Sequence, residues 1–201
     1  MITKRDKQII KFVEVNGSIT INQCAKMFFR DNKEAYDQAR KRLRIIYKGD
    51  FLKRYRKDIK SEVVYFIDKK LKIHDLKLMD VFAELGKYEL VMFQKEYKIS
   101  IDKSLNYRVD AYAIIKVDGK YIPLMIEIDY THFTNSKKIR HLIFHYKLIN
   151  KLKLTFIVVK LDQLREEIIV VPDKNKYFVL PWGLAGIENV VPYLLGSVIE
   201  D

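Results

Sequence analysis

A single cysteine, Cys24, stands in a chain of 201 residues, together with only four prolines and seven glycines. One thiol excludes an internal disulfide, and that fits a reducing, cytoplasmic setting. The few glycines form neither a phosphate-binding loop nor a dinucleotide fingerprint, so the two commonest nucleotide-binding devices are not written in the chain. No apolar run approaches the roughly 20 residues of a membrane-spanning helix. The opening Met1-Ile2-Thr3-Lys4-Arg5-Asp6 has no long apolar core of the kind a signal peptide needs. The expectation is a soluble, cytoplasmic protein with no membrane partner. With 49% hydrophobic residues the chain can bury a sizeable core, and nothing in its composition suggests disorder.

Acidic residues are also in short supply: 26 against 38 Lys and Arg, a net charge of +12. The placement of that charge is more informative than its size. Residues 1–70 hold 19 Lys and Arg against 9 Asp and Glu, whereas residues 71–201 hold 19 against 17. A lysine-favouring genome would spread the excess evenly. A block of cations attracts a polyanion, because each phosphate contact releases condensed counterions. The first part therefore reads as a nucleic-acid-binding domain.

Its local signals suit that reading. Thr3 can cap a helix from about Lys4 to Val15, with Asp6 near its positive end and Asn16-Gly17-Ser18 as its stop. Thr20-Ile21-Asn22-Gln23 has the form of a capping box, which predicts a short helix to about Phe29. Asp31 or Asn32 can cap a third helix over about Lys33–Lys48, ending at Gly49. Ala35, Ala39, Leu43 and Ile46 recur at helical spacing on its core face. About half a turn away lie Lys33, Asp37, Lys41, Arg44 and Lys48, with Arg40 and Tyr36 alongside. A charged stripe is ordinarily just a solvated face. Here it follows two helices of helix-turn-helix length and precedes a basic hairpin, Phe51–Lys57 paired with Glu62–Asp68, with Lys57-Asp58-Ile59-Lys60-Ser61 at the tip. Together these predict a winged helix-turn-helix whose third helix enters the major groove of double-stranded DNA. Lys33, Tyr36, Arg40, Lys41, Arg44 and Lys48 are its expected DNA contacts, with Lys53, Arg54, Arg56 and Lys57 of the wing meeting phosphates.

The remainder, residues 71–201, reads as a small α/β domain. A helix over His74–Gly86 precedes strands over Tyr88–Tyr97, Tyr107–Val117 and Tyr121–Asp129, the last two joined at the hairpin signal Asp118-Gly119. Asn135 or Ser136 caps a helix to about Asn150. A strand over Leu154–Leu161, a short helix over Asp162–Glu167 and a strand over Tyr177–Leu180 follow. Pro181-Trp182-Gly183 marks a turn, and the apolar Val190–Ile199 either covers the sheet or forms a dimer contact. His141 and His145 are four apart on a helix, a spacing that suits zinc. No Glu lies between them and no Cys is near, so they and His132 read as exposed or core-edge residues.

Three acids sit where carboxylates are costly. Asp110 lies inside one strand, and Glu127 and Asp129 lie two apart on one face of another. Pairing of the two strands would bring Asp110 beside Glu127. Such a cluster suits a hard cation such as magnesium.

Thr3-Lys4-Arg5-Asp6, Ala39-Arg40-Lys41-Arg42-Leu43-Arg44, Val109-Asp110-Ala111 and Glu127-Ile128-Asp129-Tyr130-Thr131 resemble the replication-relaxation family of plasmid, phage and conjugative-element proteins over about residues 3–150. The resemblance implies a winged helix followed by a compact α/β domain. It also implies DNA-binding or accessory work in plasmid replication, DNA relaxation or conjugative transfer. The second domain also resembles the PD-(D/E)XK nuclease fold. In active members of that fold, two strand acids bind magnesium and a lysine two residues after the second helps activate water. Asp110 and Glu127 match the acids, but Asp129 occupies the lysine position. Lys137 or Lys138 would have to replace that lysine, and Glu96 would be a further ligand.

The expectation is a double-stranded DNA-binding protein of a mobile element, acting in replication, transfer or transcription regulation. Its second domain is then non-catalytic and serves dimerisation as a homodimer or contact with replication or transfer proteins. No cofactor is expected. Two alternatives stay open: a magnesium-dependent endonuclease using Asp110, Glu127 and Asp129 for metal and catalysis, and an interaction module for an acidic protein.

Overall fold

The computed structural model describes residues 1–100, 106–132, 134–150, 154–161 and 177–196. The chain divides into two units, Met1–Gly86 and Lys87–Asp201.

In the first unit, α1 (Lys4–Asn16), β1 (Ser18–Thr20), α2 (Ile21–Phe28) and α3 (Ala35–Lys48) are followed by β2 (Lys53–Tyr55), β3 (Val64–Phe66) and α4 (Ile73–Leu85). The expected Thr3 cap and the expected Thr20–Gln23 capping box both form, and Asp6 makes the first a capping box as well. The Thr3 hydroxyl accepts from the Asp6 N–H at 3.3 Å while the Asp6 carboxylate accepts from the Thr3 N–H at 2.6 Å. Thr20 and Gln23 repeat the exchange at the start of α2. Ile9, Val13, Ile19, Cys24, Ala39, Leu43 and Ile46 interlock as one core. The three strands form an antiparallel sheet in the order β1-β3-β2, with Arg54 opposite Tyr65 and Ile19 also opposite Tyr65 on the far side.

Four expectations need correction here. The third helix begins at Ala35, not Lys33, and neither Asp31 nor Asn32 caps it. Glu34 stands at the cap position without a capping bond, while Asn32 shapes the preceding turn by accepting from the Glu34 and Ala35 N–H groups. Lys33 is therefore not on the helix. The strands expected for the wing shrink to three residues each, and Leu52, just before the first of them, is buried in the core instead of continuing the ladder. Ser18, read as the end of a stop signal, instead opens a strand that runs to the capping residue Thr20. Last, the division falls after Gly86 rather than after Lys70, because α4 is bound to α2. Gln23 Nε2 donates to the Leu76 carbonyl at 3.0 Å and to Asp80 at 2.7 Å, Arg30 donates to the Ala83 carbonyl at 2.6 Å, and Lys26 meets Glu84. With the longer boundary the first unit carries 21 Lys and Arg against 12 Asp and Glu, so the charge asymmetry survives.

The second unit holds β4 (Glu89–Ser100), β5 (Asn106–Val117), β6 (Lys120–Asp129), α5 (Ser136–Asn150), β7 (Thr155–Lys160), β8 (Tyr177–Pro181) and α6 (Ile187–Gly196). The five strands lie in sequence order in one sheet. β4, β5 and β6 run antiparallel, and the crossover through α5 makes β6, β7 and β8 parallel. Asp118 and Gly119, at φ 49° and 77°, form the tight turn expected between β5 and β6. Ile139 and Leu142 of α5 pack with Val109, Met125, Phe156 and Val158 of the sheet. α6 buries Ile187, Val190, Val191 and Leu194 and sets Tyr193 edge-on to Phe178, so the apolar tail faces inward as far as it is described. The short helix expected over Asp162–Glu167 and the tail beyond Gly196 lie outside the described residues. Across its described residues the chain has mixed α and β structure, with six helices and a mixed five-stranded sheet. Among those residues no helix is long and apolar enough to cross a membrane.

Candidate nucleic-acid interface and acidic cluster

The helical period of α3 decides which of its cations are free. Ala39, Leu43 and Ile46 are fully buried, which turns Arg40, Lys41, Arg44 and Lys48 to solvent. Arg42 lies between the two faces and is drawn inward. Its Nε donates to Asp6 Oδ1 at 2.8 Å and its Nη2 contacts Asp6 Oδ2, with Asp6 wholly buried. Burial pushes the Asp6 carboxyl upward, but the Arg42 and Thr3 hydrogen bonds outweigh it and hold it below the usual carboxylate value. Arg42 thus locks α3 to the start of α1 and is not available to a ligand.

Pairing of β2 with β3 brings Arg54 and Arg56 beside α3. A groove of about 400 Å³ opens there, lined by Arg40, Lys41, Arg44, Arg54 and Arg56 over a floor of Ile21, Val63 and Tyr65. No carboxylate lines it. The Arg54 guanidinium sits 4.5 Å over the Tyr47 ring, and Arg40 meets Asp37 at 3.0 Å on an open surface. Exposed pairs of that kind contribute little, so Arg40 can exchange Asp37 for a phosphate. Tyr36 is half exposed, at 49%. Of the ten residues expected to touch DNA, the structure gathers Arg40, Lys41, Arg44, Arg54 and Arg56 around one groove. Lys33, Lys48, Lys53 and Lys57 are exposed but do not line it.

The acids of the second unit are close, but each is turned to a protein donor. The β5–β6 ladder stops at Ala111 opposite Ile126, one pair short of Asp110 and Glu127. Instead the Asp110 carboxylate accepts from the Ile128 N–H at 2.7 Å. Asp129 accepts from the Thr134 N–H at 3.0 Å and from its hydroxyl at 2.6 Å. Glu127 is 5% exposed, and Lys138 Nζ of α5 contacts its Oε1. Burial raises the Glu127 carboxyl to about 7, against the Lys138 charge and hydrogen bond, with Asp110 and Asp129 pushing the same way as burial. Burial also raises Asp129, partly offset by Thr134. Of the two lysines considered, Lys138 reaches the acids and Lys137 stays exposed. Glu96, considered as a further ligand, instead pairs with Arg108 at 2.8 Å on the surface. Among the described residues no three acidic or histidine side chains converge on one point, and an ammonium already occupies Glu127. His141 is hydrogen-bonded to the Tyr107 hydroxyl at 2.9 Å and stands edge-on to His145, an aromatic contact rather than a metal pair.

Sequence reasoning did not find Thr134 as the partner of Asp129. Its one available signal was a hydroxyl five residues beyond that acid, and Thr131 and Ser136 offer nearby hydroxyls equally.

No protein-family model and no curated protein matches the chain. Among solved structures it is similar to Can2 from Sulfobacillus thermosulfidooxidans in complex with cyclic tetra-adenylate, at 11% identity and a TM-score of 0.41, across 93% of this chain. The chain spans 60% of the length of that protein.

Proposed function

We propose that the first unit is a winged helix-turn-helix that binds double-stranded DNA. In this reading α3 enters the major groove and the β2–β3 hairpin acts as the wing. The element order and the β1-β3-β2 sheet support it. The observation that carries it is the groove between α3 and the hairpin, where five cations stand and no acid does. Five charges converging on one concave strip match the repeating phosphates of a duplex better than they match a single acidic group. In this reading Arg40, Lys41 and Tyr36 meet base edges or sugars, and Arg44, Arg54 and Arg56 meet phosphates.

The second unit serves as a non-catalytic mount for dimerisation or partner contact, and the chain works in replication, transfer or transcription control on a mobile element. The sealed acidic cluster supports the first part, and the resemblance to replication-relaxation proteins supports the second. The test is selection of bound fragments from a random duplex pool, followed by anisotropy titrations at several salt concentrations. Binding that weakens linearly with log salt, and loses about one unit of slope per cation removed, is expected. Salt-independent failure to bind would leave an acidic protein as the partner. Plasmid cleavage in magnesium that is lost in Asp110→Ala would replace the non-catalytic reading with the nuclease one.

A further inference from the structure

Apart from the terminal Met1, Ile59 is the most exposed large apolar side chain among the described residues, at 92%. It stands in the turn at the tip of the β2–β3 hairpin. Turn tips favour Gly, Asn, Asp and Ser, which tolerate their geometry and welcome water. A β-branched hydrocarbon there adds nothing to this fold, since it touches no core. Yet the tip is an ordered one. The Ser61 N–H donates to Asp58 Oδ1 at 2.7 Å and to the Asp58 carbonyl at 3.2 Å, which fixes Ile59 and Lys60 as the two projecting residues. Arg56, Lys57 and Lys60 lie within three residues of it in the chain and are all exposed, while the adjacent acid, Asp58, is engaged by the Ser61 N–H. An apolar point set among cations on a held turn has the composition of a wedge used on bent duplexes. Cations hold phosphates on both sides of the minor groove while the hydrocarbon enters between two base pairs.

We propose that Ile59 is such a wedge: it inserts from the minor-groove side and kinks the DNA that α3 holds. This rests on the DNA-binding reading above and adds a bend to it. The wedge favours pyrimidine–purine steps, where unstacking costs least. Charge complementarity selects duplex DNA as the occupant, because the same tip belongs to the unit that carries the cationic groove.

The test uses the full chain and a duplex recovered from the random pool, with end-to-end energy transfer reading the bend and 2-aminopurine at the kinked step reading unstacking. Wild type should bend the duplex by about 20–90° and raise 2-aminopurine emission. Ile59→Ala should bind within about threefold of wild type, since lost insertion and avoided unstacking oppose each other, while both bend and emission change disappear. Ile59 is exposed, so this variant folds as wild type does. Binding by wild type without a bend, or an equal bend by Ile59→Ala, overturns the wedge and leaves the DNA reading intact. Absence of all duplex binding overturns both. Loss of binding to phosphatidylserine vesicles in Ile59→Ala, with bending unchanged, would assign the tip to a lipid surface instead.

Discussion

Replacing Glu127 by Gln should make the second unit more stable at alkaline pH. The Glu127 carboxyl is 5% exposed, and its ordinary value of 4.5 rises to about 7. A raised carboxyl holds its proton more tightly in the folded chain than in the unfolded one. Between pH 4.5 and about 7 the folded state therefore binds more protons, and stability falls as pH rises through that window. At pH 8 the ionised group costs on the order of 3 kcal/mol relative to an unshifted carboxyl. Gln keeps the shape and removes the titration. It leaves Lys138 without its anion, but that side chain keeps 21% of its surface exposed and can turn its ammonium to water. The single tryptophan, Trp182, lies 5.5 Å from the ring of Tyr130, tilted by 32°, so its fluorescence follows this unit during urea unfolding. Glu127→Gln should exceed wild type by roughly 1–3 kcal/mol at pH 8, with the gain fading to nearly nothing at pH 5. Asp129, also raised by burial, repels the ionised Glu127, so losing that repulsion adds to the gain at pH 8. An equal difference at pH 5 and pH 8, or a variant less stable than wild type at pH 8, would refute the linkage and the buried placement behind it.

Asp6→Ala removes the N3 half of the α1 capping box and the anion that holds Arg42, so urea denaturation should show a loss of about 1–3 kcal/mol; a loss well under about 1 kcal/mol would mean that the pair is not formed. Arg44→Ala and Arg54→Ala, both on the open groove, should leave unfolding midpoints unchanged while each lowers the salt slope of DNA binding by about one. Arg40→Ala or Lys41→Ala should weaken duplex binding by roughly 1–3 kcal/mol if base edges are read there, and a gel shift with no loss for either would take α3 out of the reading role. Burial pushes the Cys24 thiol far up, so a maleimide should label it only as fast as the first unit unfolds; prompt labelling of native protein would contradict its place in the core.

How much of the molecule was legible beforehand follows the range of the forces involved. Capping, helical period and tight turns act within four residues. So the Thr3 cap, Thr20 with Gln23, the core face Ala39-Leu43-Ile46 and the Asp118-Gly119 hairpin were readable from the chain and formed as expected. The charge block and the three strand acids were equally plain, because composition and placement need no fold. What lay beyond reach were choices between chemically similar neighbours. Arg40, Lys41, Arg42 and Arg44 look alike in sequence. Only packing against Asp6, 36 residues away, withdraws Arg42 and leaves the others on the exposed face. Lys137 and Lys138 are adjacent, and the rotation of α5 over the sheet sends only the second to Glu127. Ser18–Thr20 became a strand because β3 offered it a ladder across nearly 50 residues, and α4 joined the first unit through Gln23, Lys26 and Arg30. One-turn energetics are carried by the chain itself. Partners brought together by loop closure exist only once the core has set each side chain's direction.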